Sequence, residues 1–208
     1  MIGAPPEGAA RLVLLRHCQA EVPPGVLCGR LDPPLSIAGG AHAARLAAAL
    51  AGLRGATVHA SPARRAQETA APIARALGIE VEVQPALREV DFGSLEGLTW
   101  QQAAAAHPEV CRTWLARPEE VRFPGGEGYG EVQDRATAAV EAIARGREGA
   151  TAVVVAHAGV NRAVLAWALG APPATAFRLE QRHGAINVLE RFGDGTWVLR
   201  LANGAELA

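Results

Sequence analysis

A three-layer α/β/α sandwich, with a mostly parallel central sheet and helices on both faces, is the fold class this sequence predicts. Three observations carry it. Short apolar runs of strand length alternate with longer helical segments. Val153-Val154-Val155, flanked by small residues, is apolar on both faces, as a central parallel strand must be. A chain of 208 residues suffices for one well-buried core with room for a small insertion.

The elements follow in order. Leu12 to Leu15 is a strand, and after a Pro/Gly-rich loop from Val22 to Leu35 a helix runs from about Ile37 to Leu50 with Ser36 as N-cap. Thr57 to Ala60 is a second strand. Ser61-Pro62 supplies a cap residue and a first-turn proline for the helix behind it, which carries Ala66, Ala70, Ile73, Ala74 and Leu77 on one face. Pro72 predicts a kink or a restart there, because it lacks the N–H for the carbonyl four residues back. Ile79 to Val83 is a third strand, and Leu87 to Thr99 is a charged, glycine-containing loop. Thr99 to about Arg117 reads as helix broken at Pro108, and Phe123-Pro124-Gly125-Gly126 as a loop. A helix over Glu131 to Arg145, a strand over Thr151 to Ala156 and a helix through Leu169 follow. Ala185 to Arg191 and Thr196 to Leu201 flank Gly193-Asp194-Gly195 as a hairpin. The whole is expected to be one domain, residues 1–208, with a small helical insertion at about 99–130.

Composition narrows the function. The net charge of -1 makes no electrostatic case for nucleic acid or an acidic membrane as partner. All 20 basic residues are arginine, so a Walker-type phosphate loop and a Schiff-base lysine are excluded. Arginine still suits bidentate phosphate binding. The 3 cysteines, Cys18, Cys28 and Cys111, have no C-x-x-C spacing, so neither a disulfide framework nor a zinc site is indicated and no metal is expected. Met1 to Ala10 lacks the basic start and apolar core of a signal peptide, and no stretch approaches the roughly 18 apolar residues of a membrane span. A cytoplasmic location is the expectation.

Open α/β sheets place ligands beyond the carboxyl ends of their strands. The loops there begin Arg16-His17, Ser61-Pro62-Ala63-Arg64-Arg65 and His157-Ala158-Gly159, so two imidazoles and at least one arginine should meet at one sheet edge. Taken singly, Arg16 and His17 could be solvated residues at a strand end, and His157 a structural histidine.

Four segments together resemble the motifs of the histidine phosphatase superfamily, the phosphoglycerate mutase-like proteins. They are Leu14-Leu15-Arg16-His17, the run from Ser61 to Ala70, the run from Leu87 to Gly97, and the run from Val153 to Arg162. They occur in that family's order and cover nearly the whole chain. The resemblance implies His17 as the nucleophile that becomes phosphohistidine, with Arg16, Arg65 and His157 on the phosphoryl oxygens and Glu89 as general acid and base. It selects Arg65 rather than Arg64, which should face elsewhere. Gln19, Arg30, Ala158 and Gly159 are the implied substrate contacts, although Arg30 could equally be a solvated loop residue. Glu89 has a plainer alternative as a surface ion-pair partner. No cofactor is implied. The implied partner is a small phosphorylated metabolite such as α-ribazole phosphate or a sugar phosphate, and the protein a monomer or homodimer.

The chain departs from the family pattern in three places. Cys18 replaces a glycine and Ala20 a hydroxyl residue after the histidine, which points to strain if the first position needs positive φ. A catalytically impaired phosphate binder is therefore an alternative, as is a mutase. Gly128 stands where a serine is usual. Cys18 is either a reactive thiol or an inert buried one. A cysteine phosphatase loop needs an arginine six positions on, where this chain has Pro24. Trp100 and Trp114 are open between interface and substrate pocket.

Overall fold

The computed structural model describes residues 4–205, so the reading of Met1, Ile2 and Gly3 as free of a leader lies outside the described residues. One six-stranded sheet organises the chain. Its strands are β1 (Ala9–Arg16), β2 (Thr57–Ala60), β3 (Val81–Val83), β4 (Thr151–Ala156), β5 (Ile186–Phe192) and β6 (Trp197–Gly204), in the spatial order β3-β2-β4-β1-β5-β6. The first four lie parallel, and β5 and β6 add antiparallel at one edge. The α/β expectation holds, with the hairpin making the sheet mixed.

Side-chain alternation along the two central strands shows why both must be apolar throughout. Leu12, Leu14, Ala152, Val154 and Ala156 face one core, which includes Val132, Ala136 and Val140 of α5 (Tyr129–Ala144) and Val160 and Val164 of α6 (Ala158–Ala168). Val13, Leu15, Val153 and Val155 face the other, which includes Leu46 and Leu50 of α1 (Ile37–Leu50) and Ala66, Ala70 and Ile73 of α2 (Arg64–Leu77). Between α2 and α5 lie two short helices, α3 (Trp100–Ala106) and α4 (Pro108–Ala116), broken at Pro108 as the sequence predicts, with Thr99 found to cap the first.

Three local expectations are corrected. The Ser61 hydroxyl does not cap α2, which begins at Arg64 with Ala63 in the cap position and no side-chain cap. Asp32 Oδ1 accepts the Arg64 N–H instead, at 2.6 Å, satisfying one of the amides a helix start leaves unpaired. Pro72 does not restart the helix, which runs unbroken from Arg64 to Leu77. β1 begins at Ala9 and β6 reaches Gly204, because pairing with β4 and β5 extends order into residues that are not themselves strongly apolar. Among the described residues no helix is long and apolar enough to cross a membrane.

Candidate functional site

β1, β2 and β4 end side by side, and their register carries the candidate residues to one edge. Arg16 pairs with Ala156 and Ala60 with Val155, so His17, Ser61 and His157 each follow the last paired residue of a strand. The His17 and His157 rings stand edge to face with centroids 5.1 Å apart.

The hydrogen bonds of His17 define its tautomer. Nδ1 lies 2.7 Å from the Cys18 carbonyl, which can only accept, so Nδ1 carries the proton. Nε2 then holds a lone pair, and Arg65 Nε donates to it at 3.3 Å. Burial, followed by the charges of Arg65 and Arg16, holds the imidazole well below the usual histidine range; the Cys18 bond opposes this weakly. His17 is therefore a neutral imidazole with one nitrogen free to act as a base or nucleophile.

Arg65 is 1% exposed, a large charged side chain inside the fold. Its fork donates to the carbonyls of Leu31 at 2.6 Å, Gly29 at 3.0 Å and Cys28 at 3.2 Å, so the loop before α1 is built around it. Arg64 turns away and pairs with Glu68 on the surface, as the sequence pattern requires. Arg16 donates to the Gln181 carbonyl at 2.6 Å and to His183 Nε2 at 2.9 Å. Among the described residues its Nε, which is buried, has no partner, and neither has Nδ1 of His157. The other nitrogen of His157 meets the Ser61 hydroxyl at 2.8 Å. Two orphaned polar atoms beside a neutral imidazole mark a place for an anion rich in acceptor oxygens.

Glu89 is buried rather than on the surface. Its Oε1 accepts the Val90 N–H at 3.0 Å, and Oε2 accepts the Gly159 N–H at 3.1 Å, in the first turn of α6, where unpaired amides favour a carboxylate. Gly159 is required there by space: a Cβ would lie 2.6 Å from Glu89 Oε1. The loop carrying Glu89 hangs on Arg135, whose guanidinium donates to the carbonyls of Ala86, Arg88 and Glu89 and pairs with Glu127 at 2.8 Å.

Arg16, His17, Gln19, Arg65, Glu89 and His183 line a cavity of about 420 Å³. A second cavity of about 210 Å³ adjoins it through Leu27, Glu89 and Phe92 and is lined by Ala158, Gly159 and Trp114. Trp114 is thus a pocket residue, with Trp100 packed against it at 5.6 Å. Arg30 lines neither, since it pairs with Asp91 at 3.1 Å and sits near Glu127 at 3.9 Å.

The departures at Cys18 and Gly128 have local explanations. Among the described residues the one non-glycine with positive φ is Asn203, so Cys18 carries no left-handed strain. Its side chain packs in the core beneath α1 and α2, and burial pushes the thiol up to about 11, which makes it inert. Gly128 leaves no hydroxyl to cap α5, and the Glu131 carboxylate reaches back to its N–H at 2.8 Å. The sequence reading missed His183, Gln181, Arg135 and the pairing of Ser61 with His157. Of these only Ser61 lay inside a motif, where its place before a proline suggested a cap.

The profile of the histidine phosphatase superfamily (branch 1) matches residues 12–204. A bifunctional protein of Mycobacterium tuberculosis is 38% identical over 195 residues, covering 93% of this chain and 53% of its own length. This chain thus spans about half the length of that relative. Phosphoserine phosphatase 1 of Hydrogenobacter thermophilus is 34% identical over 161 residues, 77% of this chain and 76% of its own. A solved mycobacterial glucosyl-3-phosphoglycerate phosphatase superposes with a TM-score of 0.82 at 29% identity, covering 94% of this chain and 99% of its own. With the motifs, the sheet and the profile in agreement, the chain belongs to branch 1 of the histidine phosphatase superfamily.

Proposed function

We propose that this protein is a phosphomonoesterase that works without metal, through a phosphohistidine at His17, on a small phosphorylated metabolite. The observation that carries it is the His17 tautomer: Nδ1–H on the Cys18 carbonyl and the Nε2 lone pair at the cavity that Arg16, Arg65 and Glu89 also line. An imidazole attacks phosphorus only when neutral, and burial beside two guanidiniums maintains that form.

In the first step Nε2 bonds to phosphorus as the ester P–O bond breaks. The ester enters as a monoanion, and Glu89 passes the ester's own proton to the departing oxygen, which leaves as an alcohol. In the second step water attacks phosphorus, its proton passes to Glu89, and the P–N bond breaks to release phosphate. Arg16, Arg65 and the unpartnered nitrogen of His157 donate to the three equatorial oxygens, each well-aimed donor contributing roughly 3–4 kcal/mol in the transition state. Gln19, Ala158 and Gly159 line the two cavities and are retained as substrate contacts; Arg30 is not. Relatives named for phosphoserine and glucosyl-3-phosphoglycerate support hydrolysis of phosphorylated metabolites as the class, with the alcohol portion still to be assigned.

The test is turnover of 4-nitrophenyl phosphate with EDTA present, together with trapping of an acid-labile phosphoenzyme. Both are expected in the wild type and both are lost in His17→Ala. Folded protein that binds vanadate yet neither turns over nor forms a phosphoenzyme would establish the impaired-binder alternative. Conversion of 3-phosphoglycerate to 2-phosphoglycerate in place of free phosphate would establish a mutase.

A further inference from the structure

The second cavity has a composition the phosphoryl chemistry does not use. Three of the chain's 4 phenylalanines, Phe92, Phe123 and Phe177, line it together with Trp114 and the single tyrosine, Tyr129. Phe123 belongs to the buried core, Phe92 and Trp114 pack against it, and their remaining faces line the cavity. Phe92, Trp114 and Phe123 pack on one another at 4.9–5.6 Å, and Tyr129 faces Phe177 at 5.2 Å, giving two rigid aromatic walls. The space of about 210 Å³ suits a ring, since an apolar cavity of about 150 Å³ already takes benzene.

Besides Glu89, which it shares with the first cavity, two polar groups break the apolar surface. Tyr129 is 5% exposed and among the described residues its hydroxyl has no hydrogen-bond partner, a cost that a bound acceptor would remove. Arg162, from α6, lines the same cavity. Its Nε is committed to the Leu179 carbonyl at 2.8 Å, while among the described residues neither Nη has a hydrogen bond; the carboxylate of Glu180 acts on it only through space.

Glu89 and Phe92 stand between this cavity and the one holding His17. If phosphorus is at His17 and the ester oxygen at Glu89, the rest of the substrate continues into the aromatic cavity. We infer that this cavity is the leaving-group subsite, and that it selects phosphate esters whose alcohol portion is a flat apolar group ending in an anionic acceptor such as a carboxylate. Its inside would lie between the aromatic walls and its acid on Tyr129 Oη–H and the Arg162 Nη groups. The inference rests on the phosphatase proposed above.

Three aryl phosphates with similar leaving groups test it: 4-carboxymethylphenyl, 4-ethylphenyl and 4-(2-aminoethyl)phenyl phosphate. The wild type should favour the carboxylate over the ethyl ester in kcat/KM by on the order of tenfold, with the ammonium ester poorest, as hydrogen bonds to a charged group imply. In Arg162→Met the carboxylate-to-ethyl ratio should fall to about one, and in Tyr129→Phe to an intermediate value. The ratio is read within each variant, and the tyrosine change serves if the arginine variant does not fold. Equal rates for the three esters in the wild type, a preference for the ammonium ester, or a ratio unmoved in both variants would overturn the subsite while leaving the phosphatase intact. Failure of folded wild type to hydrolyse any of the three would overturn the phosphatase itself.

Discussion

Substituting Gly159 by alanine isolates the contribution of Glu89 without touching a side chain that holds a proton or phosphate. The added Cβ would stand 2.6 Å from Glu89 Oε1 and 2.7 Å from Val90 Cγ2. A carbon and an oxygen in contact sit at about 3.3 Å, so the carboxylate must retreat by roughly 0.7 Å and weaken its 3.1 Å bond from the Gly159 N–H. Misplacement of a catalytic group by about 1 Å can cost on the order of a hundredfold in rate, so a loss of about ten- to a hundredfold is expected. The loss should depend on the leaving group. Proton donation typically contributes about 10²- to 10⁴-fold, but 4-nitrophenolate departs with little help whereas an alkoxide needs the proton. Steady-state kinetics with 4-nitrophenyl phosphate and with an alkyl phosphate should therefore show a small loss for the first and the full loss for the second. The melting temperature should fall modestly, because overpacking costs roughly 1–3 kcal/mol and alanine's helix preference over glycine offsets only roughly 0.5–1 kcal/mol of it. Equal losses with both esters, or undiminished alkyl phosphate turnover, would refute the assignment of Glu89 as proton donor.

Arg135→Met should destabilise the fold by about 2–4 kcal/mol in urea titration and lower kcat with little change in KM, because Glu127 and three loop carbonyls lose their donor and Glu89 loses its support. A stability loss without a kcat effect would mean that Arg135 does not position Glu89. Acid should weaken the fold through its two buried site imidazoles. The His17 and His157 pKa values are lowered on folding, so above about pH 6.5 both states are neutral and nothing is lost. As pH falls below that, the unfolded chain takes up protons the folded one refuses, and stability should drop by about 1.4 kcal/mol per pH unit for each imidazole. Activity should persist into the same range, because His17 stays neutral there; an NMR titration of His17 near 6.5 would contradict both. Cys18→Gly, which restores the residue usual in the family, should cost about 1–3 kcal/mol from the lost buried thiol and added backbone freedom, with no gain in kcat, since no positive φ awaits the glycine. A clear rise in kcat would show that the thiol impairs His17.

What was legible in the sequence is what local order dictates. Val153 to Val155 could only be buried on both faces, and the strand ends then had to bring Arg16, His17 and His157 together. Pro108 marked the break between two helices by chemistry that acts within one turn. Arg135 was not legible, since nothing in its helix distinguishes it from other arginines; its role comes from carbonyls some 47 residues away in the chain. His183 lies in a turn with no motif, and reaches Arg16 only because β5 pairs antiparallel with β1. Ser61 was misread for a related reason. Serine before proline favours a cap locally, but the hydroxyl has a competing partner in His157, and buried imidazoles take the hydrogen bond they need.

If His17 is the nucleophile proposed above, its contact with Arg65 also bears on how it is kept until it is needed. In the structure the Nε2 lone pair is occupied by the Arg65 Nε–H at 3.3 Å, a long bond between a cation and a neutral ring nitrogen. A phosphate ester anion entering beside it competes for the same donor, and the attraction of two opposite charges in a buried site exceeds that of a cation for a neutral ring nitrogen. Exchange of that N–H from imidazole to phosphoryl oxygen is then downhill, frees the lone pair, and places phosphorus next to it. Arg16 Nε and His157 Nδ1, which lack partners in the same place, would complete the set of donors. On this view ester binding and activation of His17 are one event. The rigidity of Arg65, fixed by three carbonyls of the Cys28 to Leu31 loop, lets its Nε–H change partners without the side chain leaving its place.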